Sequence, residues 1–280
     1  MTANELYRQG LDRLEQAQIE DGGFDCLQLF SHYTGISRSS LLADRNQSVC
    51  EAMQTDFLAA IDRRCQGEPL QYILGQWEFY SLPFAVGRGV LIPRADTEIL
   101  VDEALRLIEN VTAPKVADLC AGSGCIAVSI AKNRPDATVT AVEYSDRAIT
   151  YLRQNVADNQ TTNVTVQTAD VLAGAGDLTG FDLIVSNPPY IPTADIAGLA
   201  KEVHCEPIMA LDGGDDGLTF YRTILQKWTA ALNPNGMIAF EVGIDQAQAV
   251  SALLEKQFEQ VYIVPDLNEV PRVVLGIGIL

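Results

Sequence analysis

Long apolar runs are absent from this 280-residue chain. None approaches the roughly 20 residues that cross a bilayer, so no membrane partner is expected. Basic charge is scarce: 19 Lys and Arg stand against 37 Asp and Glu, a formal net charge of −18. Proteins that neutralise many phosphates carry a basic stripe, and none is visible, so no direct nucleic-acid partner is expected. Histidine is nearly missing, with only His32 and His204. The six cysteines (Cys26, Cys50, Cys65, Cys120, Cys125, Cys205) contain no C-x-x-C pair. That spacing matches no zinc site and reads as the reduced thiols of a cytosolic chain, so no metal is expected. The first residues, Met1-Thr2-Ala3-Asn4-Glu5, show neither the basic flank nor the apolar core of a secretory signal, and a cytoplasmic location is expected.

The length exceeds a typical single domain and points to a small and a large one. The first seventy or so residues carry only helical signals. Cys50, Met53, Phe57, Ala60 and Ile61 share one helix face, as do Tyr7, Leu11 and Leu14, with turns expected at Gly22-Gly23 and Ser37–Ser40. Residues 1–74 are therefore read as a helical bundle. In 75–93, aromatic and branched residues surround Gly87-Arg88-Gly89 and suggest a linking β-hairpin with its turn there. A helix follows, with Asp96 or Thr97 as its N-cap.

Residues 94–280 form the third region, and from Pro114 strands and helices alternate. Strands are expected at 116–119, 139–142, 164–167, 183–186, 237–241, 261–264 and 273–275, and helices at 126–132, 147–158, 218–232 and 246–258. Such alternation gives an α/β fold, a mainly parallel seven-stranded sheet covered by helices. The last connection, Pro265 to Arg272, is too short for a parallel crossover, so the last strand should be antiparallel.

Three sites along this region carry chemistry. Asp118-Leu119-Cys120-Ala121-Gly122-Ser123-Gly124 closes the first of these strands with small residues that let a ligand approach the backbone. It is neither G-x-G-x-x-G nor a P-loop. Glu143 ends the next strand about twenty residues on, where a carboxylate can accept both hydroxyls of a ribose. Taken alone Glu143 also reads as an exposed strand end; together and in this order the two form a nucleoside-binding signal. After the fourth strand comes Asn187-Pro188-Pro189-Tyr190. Two prolines remove two N–H donors and hold the chain extended. What remains is carbonyl oxygens, one carboxamide and one ring, a pocket suited to a flat group bearing NH2.

The arrangement resembles Rossmann-like (class I) S-adenosylmethionine-dependent methyltransferases that act on planar nitrogen groups. More narrowly it resembles the HemK/PrmC family of peptide chain release factor glutamine-N5 methyltransferases, over nearly the whole chain. Gln71-Tyr72-Ile73-Leu74-Gly75, Glu78-Phe79-Tyr80 and Leu91-Ile92-Pro93-Arg94-Ala95-Asp96-Thr97-Glu98 carry that likeness, with Ala95 in place of the family's usual proline. Beyond the tetrapeptide, Glu206-Pro207, Ala210-Leu211, Gly213-Gly214, Asp216-Gly217-Leu218 and Tyr221-Arg222 follow its E-P-x-x-A-L-x-G-G-x-D-G-L-x-x-Y-R pattern. Family members often have D-L-G-T-G-S-G, where this chain has Cys120 and Ala121; a cysteine is strained there if φ is positive.

The resemblance implies transfer of a methyl group from S-adenosylmethionine, leaving S-adenosylhomocysteine, to the glutamine of a release factor's Gly-Gly-Gln loop. It implies that Asp118 lies near the cofactor's amino-acid part and that Cys120, Ala121, Gly122, Ser123, Gly124 and Asn187 also bind the cofactor. It places Glu143 at the ribose, Asp170 and Val171 beside the adenine, and Asn187, Pro188, Pro189 and Tyr190 around the substrate. Asp170 alone also reads as a turn cap. Asn187, Pro188 and Tyr190 are the expected catalytic residues, the helical bundle the expected platform for the release factor, and a monomer the expected state. A ribosomal-protein glutamine methyltransferase shares this chemistry, and an adenine-N6 DNA methyltransferase shares the tetrapeptide; the acidity and the 206–222 segment weigh against the DNA enzyme.

Overall fold

Helical periodicity alone builds the front of the chain, seen in a computed structural model that describes residues 1–280. Five helices follow in order: α1 (Ala3–Gln16), α2 (Gly22–Thr34), α3 (Arg38–Ala43), α4 (Glu51–Cys65) and α5 (Leu70–Leu74). Thr2 and Glu5 start α1 with a reciprocal capping box: the Thr2 hydroxyl accepts the Glu5 N–H, and the Glu5 carboxylate accepts that of Thr2. The buried stripe of α1 is Leu6, Gly10 and Leu14, flanked by half-buried Tyr7 and Leu11. Phe57, Ala60 and Ile61 of α4 are buried as expected, whereas Cys50 and Met53 face solvent. A Cβ on Gly10 would meet the Phe57 ring at 2.5 Å, so only glycine lets these helices approach. Gly22-Gly23 and Ser37–Ser40 are helix starts rather than turns. Gly22 opens α2, and the Ser37 hydroxyl caps α3.

These helices form one unit, Met1–Gln76, which also takes in Ala200–Cys205; the second unit is Trp77–Leu199 with Glu206–Leu280. In the first, buried Arg64 donates to Asp25 at 2.6 Å and to Glu202 at 2.5 Å. A distant segment is thereby held to α2 and α4 by one guanidinium.

A hairpin of β1 (Gln76–Phe79) and β2 (Leu82–Ala85) follows. Its turn is Tyr80-Ser81, at φ 52° and 58°, not Gly87-Arg88-Gly89. Paired positive φ angles are those of a type I′ turn, here adopted without glycine. Next come α6 (Glu98–Leu107), β3 (Lys115–Leu119), α7 (Cys125–Asn133), β4 (Thr138–Glu143), α8 (Asp146–Asp158), β5 (Val164–Thr168) and β6 (Phe181–Ser186). The chain ends with α9 (Thr219–Lys227), β7 (Leu232–Glu241), α10 (Ala247–Leu254), β8 (Phe258–Pro265) and β9 (Pro271–Ile279). The helix expected over 218–232 stops at Lys227, because 229–231 tightens into a 3₁₀ turn and Leu232 already pairs with Phe181. That expected over 246–258 stops at Leu254, since Phe258 begins β8.

The sheet runs β5-β4-β3-β6-β7-β9-β8, with β9 antiparallel to both neighbours and every other pairing parallel. Period-2 alternation decides how it is covered. Val116, Leu183, Val185, Ala239 and Leu275 pack toward α6 and α7, while Ala117, Ile184, Ile238, Phe240 and Val274 pack toward α9 and α10. Both faces are thus dry, as a parallel sheet requires. From β3 the chain proceeds to β4 on one side, and β6 lies on the other. The carboxyl ends of β3, β4 and β6 therefore flank the crevice where such sheets bind ligands. No helix is long and apolar enough to cross a membrane.

Candidate active site

The loop after β3 turns tightly. Cys120, Gly122 and Gly124 all adopt left-handed conformations, with φ 61°, 55° and 80°. Three such residues in five curl the chain so that the Gly124 N–H reaches the Ala121 carbonyl at 2.7 Å. At Gly124 a side chain is excluded twice, by φ and by the Leu152 methyl that a Cβ would strike. Cys120 is therefore strained, in a position that favours glycine.

Behind this loop Asp118 is fully buried. One carboxyl oxygen accepts the Ala127 N–H at 3.0 Å, and the other, Oδ1, has no partner. Burial above all, with the Glu143 charge adding, pushes its pKa up to about 8. A buried acceptor without a donor is what a bound ammonium would satisfy.

Glu143, at the end of β4, is fixed by three backbone donors. Oε2 takes Gly122 N–H at 2.8 Å, and Oε1 takes Tyr144 and Ser145 N–H at 2.8 Å each. A carboxylate offers about four lone-pair positions, so about one remains for a ligand hydroxyl rather than two. Asp170 does act as a cap, its Oδ1 accepting Leu172 N–H at 2.8 Å, and it also faces the cavity.

Cys120, Ala121, Gly122, Ser123, Glu143, Asp170, Val171, Asn187 and Pro189 line one cavity of about 450 Å³. That size and the mostly apolar wall suit a small-molecule ligand. Asp118, Gly124, Pro188 and Tyr190 are not in the wall.

Where β6 ends, the Ser186 hydroxyl donates to Leu119 O at 2.6 Å and ties the next loop to β3. Asn187 Nδ2 donates to Thr97 Oγ1 at 3.2 Å. Tyr190 faces the other way: its carbonyl accepts Gln246 Nε2 at 2.8 Å, and its ring packs toward Gly243. Burial pushes its hydroxyl up to about 12, so it stays neutral. The Gly213-Gly214 pair has a physical reason: a Cβ on Gly213 would sit 2.7 Å from Tyr190 Cα. The bonds Ile191 N–H to Leu211 O and Gly213 N–H to Ile191 O then staple that segment to the tetrapeptide.

Sequence reasoning missed two stretches of wall, Leu91–Arg94 with Thr97, and Pro207 with Met209 and Ala210. Buried Glu206 joins them, accepting the Ile92 N–H at 3.0 Å and pairing with Arg94. Both stretches were recognised only as motifs of a resemblance, with no site assigned to them. Glu241, at the end of β7, was also missed. It is buried, with Thr97 and Asn187 close enough to favour its charged form, and Oε2 has no partner. Burial first, then Asp96, pushes its pKa up to about 7 against the pull of Thr97 and Arg272. No cluster of three or more His, Cys, Asp or Glu side chains could hold a metal ion.

Comparison with known proteins matches residues 5–75 to the PrmC N-terminal domain and residues 96–214 to the methyltransferase small domain. The release factor glutamine methyltransferase of Geobacter sulfurreducens is 42% identical over 265 residues, spanning 94% of this chain and 92% of that protein. The protein of the same description in Caulobacter vibrioides is 35% identical over 280 residues, spanning 99% and 96%. Among solved structures, the hMettl16 catalytic domain in complex with the MAT2A 3′UTR hairpin 1 is 13% identical, with TM-score 0.55 over 89% of this chain and 88% of that one, a likeness of fold.

Proposed function

The chain belongs to the release factor glutamine methyltransferase family, and from that premise we propose that it methylates the side-chain amide of the Gly-Gly-Gln glutamine of a peptide chain release factor. The observation that carries the reading is the Asn187 carboxamide on the wall of the same cavity as the glycine loop and Glu143. S-adenosylmethionine, when bound, supplies an electrophilic methyl group on a sulfonium. The residues present fit it. The Cys120–Ser123 stretch offers an open backbone on the cavity wall, with the unpaired buried carboxyl oxygen of Asp118 behind it to favour an ammonium, Glu143 offers one acceptor position to a ribose hydroxyl, and Asp170-Val171 a wall for the adenine.

A glutamine amide is a weak nucleophile because its lone pair is delocalised into the carbonyl. The chain's task is therefore positioning. No protein donor meets Asn187 Oδ1, which accepts one N–H of the incoming amide, and the Pro188 carbonyl accepts the other. Two acceptors orient the nitrogen and stabilise the positive charge it gains as the methyl arrives. Tyr190, packed behind the loop and neutral, acts as a positioning residue for it. The nitrogen gains a methyl and releases one proton to water. The helical unit Met1–Gln76 is the platform for the release factor, and the cavity is built from one chain, so a monomer suffices.

The test offers labelled cofactor with a release factor, a large ribosomal subunit or DNA, and maps the modified residue by mass. Label on the Gly-Gly-Gln glutamine is expected; label on the ribosome or DNA alone overturns the proposal. Asn187→Ala should lower turnover on the order of 100-fold, the scale of one lost oxyanion-type contact, while cofactor affinity stays within a few-fold. Near-normal turnover removes Asn187 from its role.

A further inference from the structure

Thr97 ends the 3₁₀ turn Ala95–Thr97 that runs into α6; its backbone is helical and its side chain makes no capping hydrogen bond. Instead Thr97 Oγ1 accepts from Asn187 Nδ2 at 3.2 Å, and both side chains lie close enough to the Glu241 carboxyl to favour its charged form. The three side chains come from three places: the start of α6, the loop after β6 and the end of β7. Thr97 and Glu241 are buried, and Asn187 is half-buried with its free face on the cavity.

The donor count orders this trio. When Glu241 is ionised it only accepts, so it draws the Thr97 hydroxyl proton and the Asn187 amide protons toward itself. Thr97 Oγ1 then has only lone pairs to offer, and its carboxamide neighbour must present N–H. With Asn187 Nδ2 turned inward, Oδ1 is turned to the cavity. A flipped amide would set oxygen against oxygen at Thr97 and offer the substrate donors in place of an acceptor.

We propose that Thr97 and Glu241 are positioning residues that lock the Asn187 carboxamide with its oxygen toward the substrate, and so make the site select an amide NH2 over a carboxylate. The proposal rests on the glutamine-methylation reading and extends it to discrimination between glutamine and glutamate at the acceptor position. A wall that accepts N–H rewards the amide, whereas a glutamate oxygen there would face Asn187 Oδ1 with no proton between them. Unlike a general base, the trio takes no proton from the substrate; its contribution is the direction of one carboxamide.

Two readouts test it. The first measures turnover on a release factor, and inhibition by a factor whose Gly-Gly-Gln glutamine is replaced by glutamate. Thr97→Val keeps the shape and removes the hydroxyl. It should lower kcat on the order of 10- to 100-fold, the cost of a loosened reacting geometry, with cofactor affinity within a few-fold. The glutamate factor should bind this variant several-fold better relative to the glutamine factor than it binds the wild type. Thr97→Ser should restore both properties, and Glu241→Gln should show a partial loss. The second readout is hydrogen exchange of the Asn187 side-chain NH2 by nitrogen-15 NMR, assigned by its loss in Asn187→Asp. Protection in the wild type and its loss in Thr97→Val support the lock. Unchanged discrimination in a Thr97→Val protein that binds cofactor normally, or unchanged protection, overturns it. A wild-type enzyme that leaves the release factor unmethylated overturns the proposed function instead, and the exchange measurement still decides the lock.

Discussion

Substituting Cys120 by glycine should cost this protein almost nothing, although the same change at most half-buried positions destabilises. The residue sits at φ 61°, where a Cβ is crowded by the following carbonyl. Releasing that strain returns roughly 1–2 kcal/mol. Against it stand about 1 kcal/mol for the apolar contacts of the side chain, which packs on the α9 side of the sheet, and roughly 0.5–1 kcal/mol for the added freedom of glycine in the unfolded chain. The sum lies within about 1 kcal/mol of zero by those same magnitudes. Cys120→Ala keeps the strain and loses the sulfur, so it should cost about 1 kcal/mol. Cys120→Val adds β-branching at positive φ and should cost more still. The expected order of stability is therefore Cys and Gly together, then Ala, then Val. Both tryptophans, Trp77 and fully buried Trp228, lie in the second unit, so urea unfolding followed by fluorescence reads the unit that contains the loop. A 1 kcal/mol difference moves the midpoint by roughly 0.3–1 M urea. A glycine variant less stable than the alanine variant by that amount would refute the reasoning, because it would mean that the loop stores no strain at residue 120.

Other perturbations follow from the same geometry. Gly124→Ala meets both positive φ and the Leu152 methyl and should cost about 2–5 kcal/mol, whereas Gly122→Ala meets only φ 55° with open space and should cost roughly 1–2 kcal/mol; equal midpoints in urea would contradict this. Asp118 has its folded pKa raised from 3.8 to about 8, so between those values the folded state keeps a proton that the unfolded state releases. The ligand-free protein should then lose stability as pH rises from about 4 to 8, and Asp118→Asn should flatten that fall in a series of thermal melts; an unchanged slope would show that Asp118 does not titrate in this window. Arg64→Met leaves the buried Asp25 carboxylate unpaired and should destabilise the first unit by about 3–5 kcal/mol, seen as earlier loss of helical far-ultraviolet signal; an unmoved melt would mean that the ion pair contributes nothing.

How far the sequence reached depended on whether the deciding force was local. Strand alternation located all seven strands of the main sheet because the burial of each residue follows from its parity, and the 265–272 connection was short enough to force an antiparallel end. It did not show that β9 slips between β7 and β8, since pairing order is chosen by contacts far apart in the chain. The hairpin turn was misplaced because glycines advertise positive φ, while Tyr80 and Ser81 adopt it under tertiary constraint alone. Nothing local marks Ala200–Cys205 as part of the first unit; Arg64 reaching Glu202 across 138 residues does that.

The site divides along the same line. Residues that serve it through backbone shape, such as Gly122, Gly124 and the two prolines, are legible because few residue types can take those conformations. Residues that serve it through one side-chain contact are not. Thr97 reads as an ordinary N-cap and Glu241 as an ordinary strand end, and each is reassigned only because the fold brings it beside Asn187. A buried carboxylate with an unpaired oxygen lowers stability where it stands. That local cost beside one carboxamide makes the carboxamide the place where the fold yields stability for geometry.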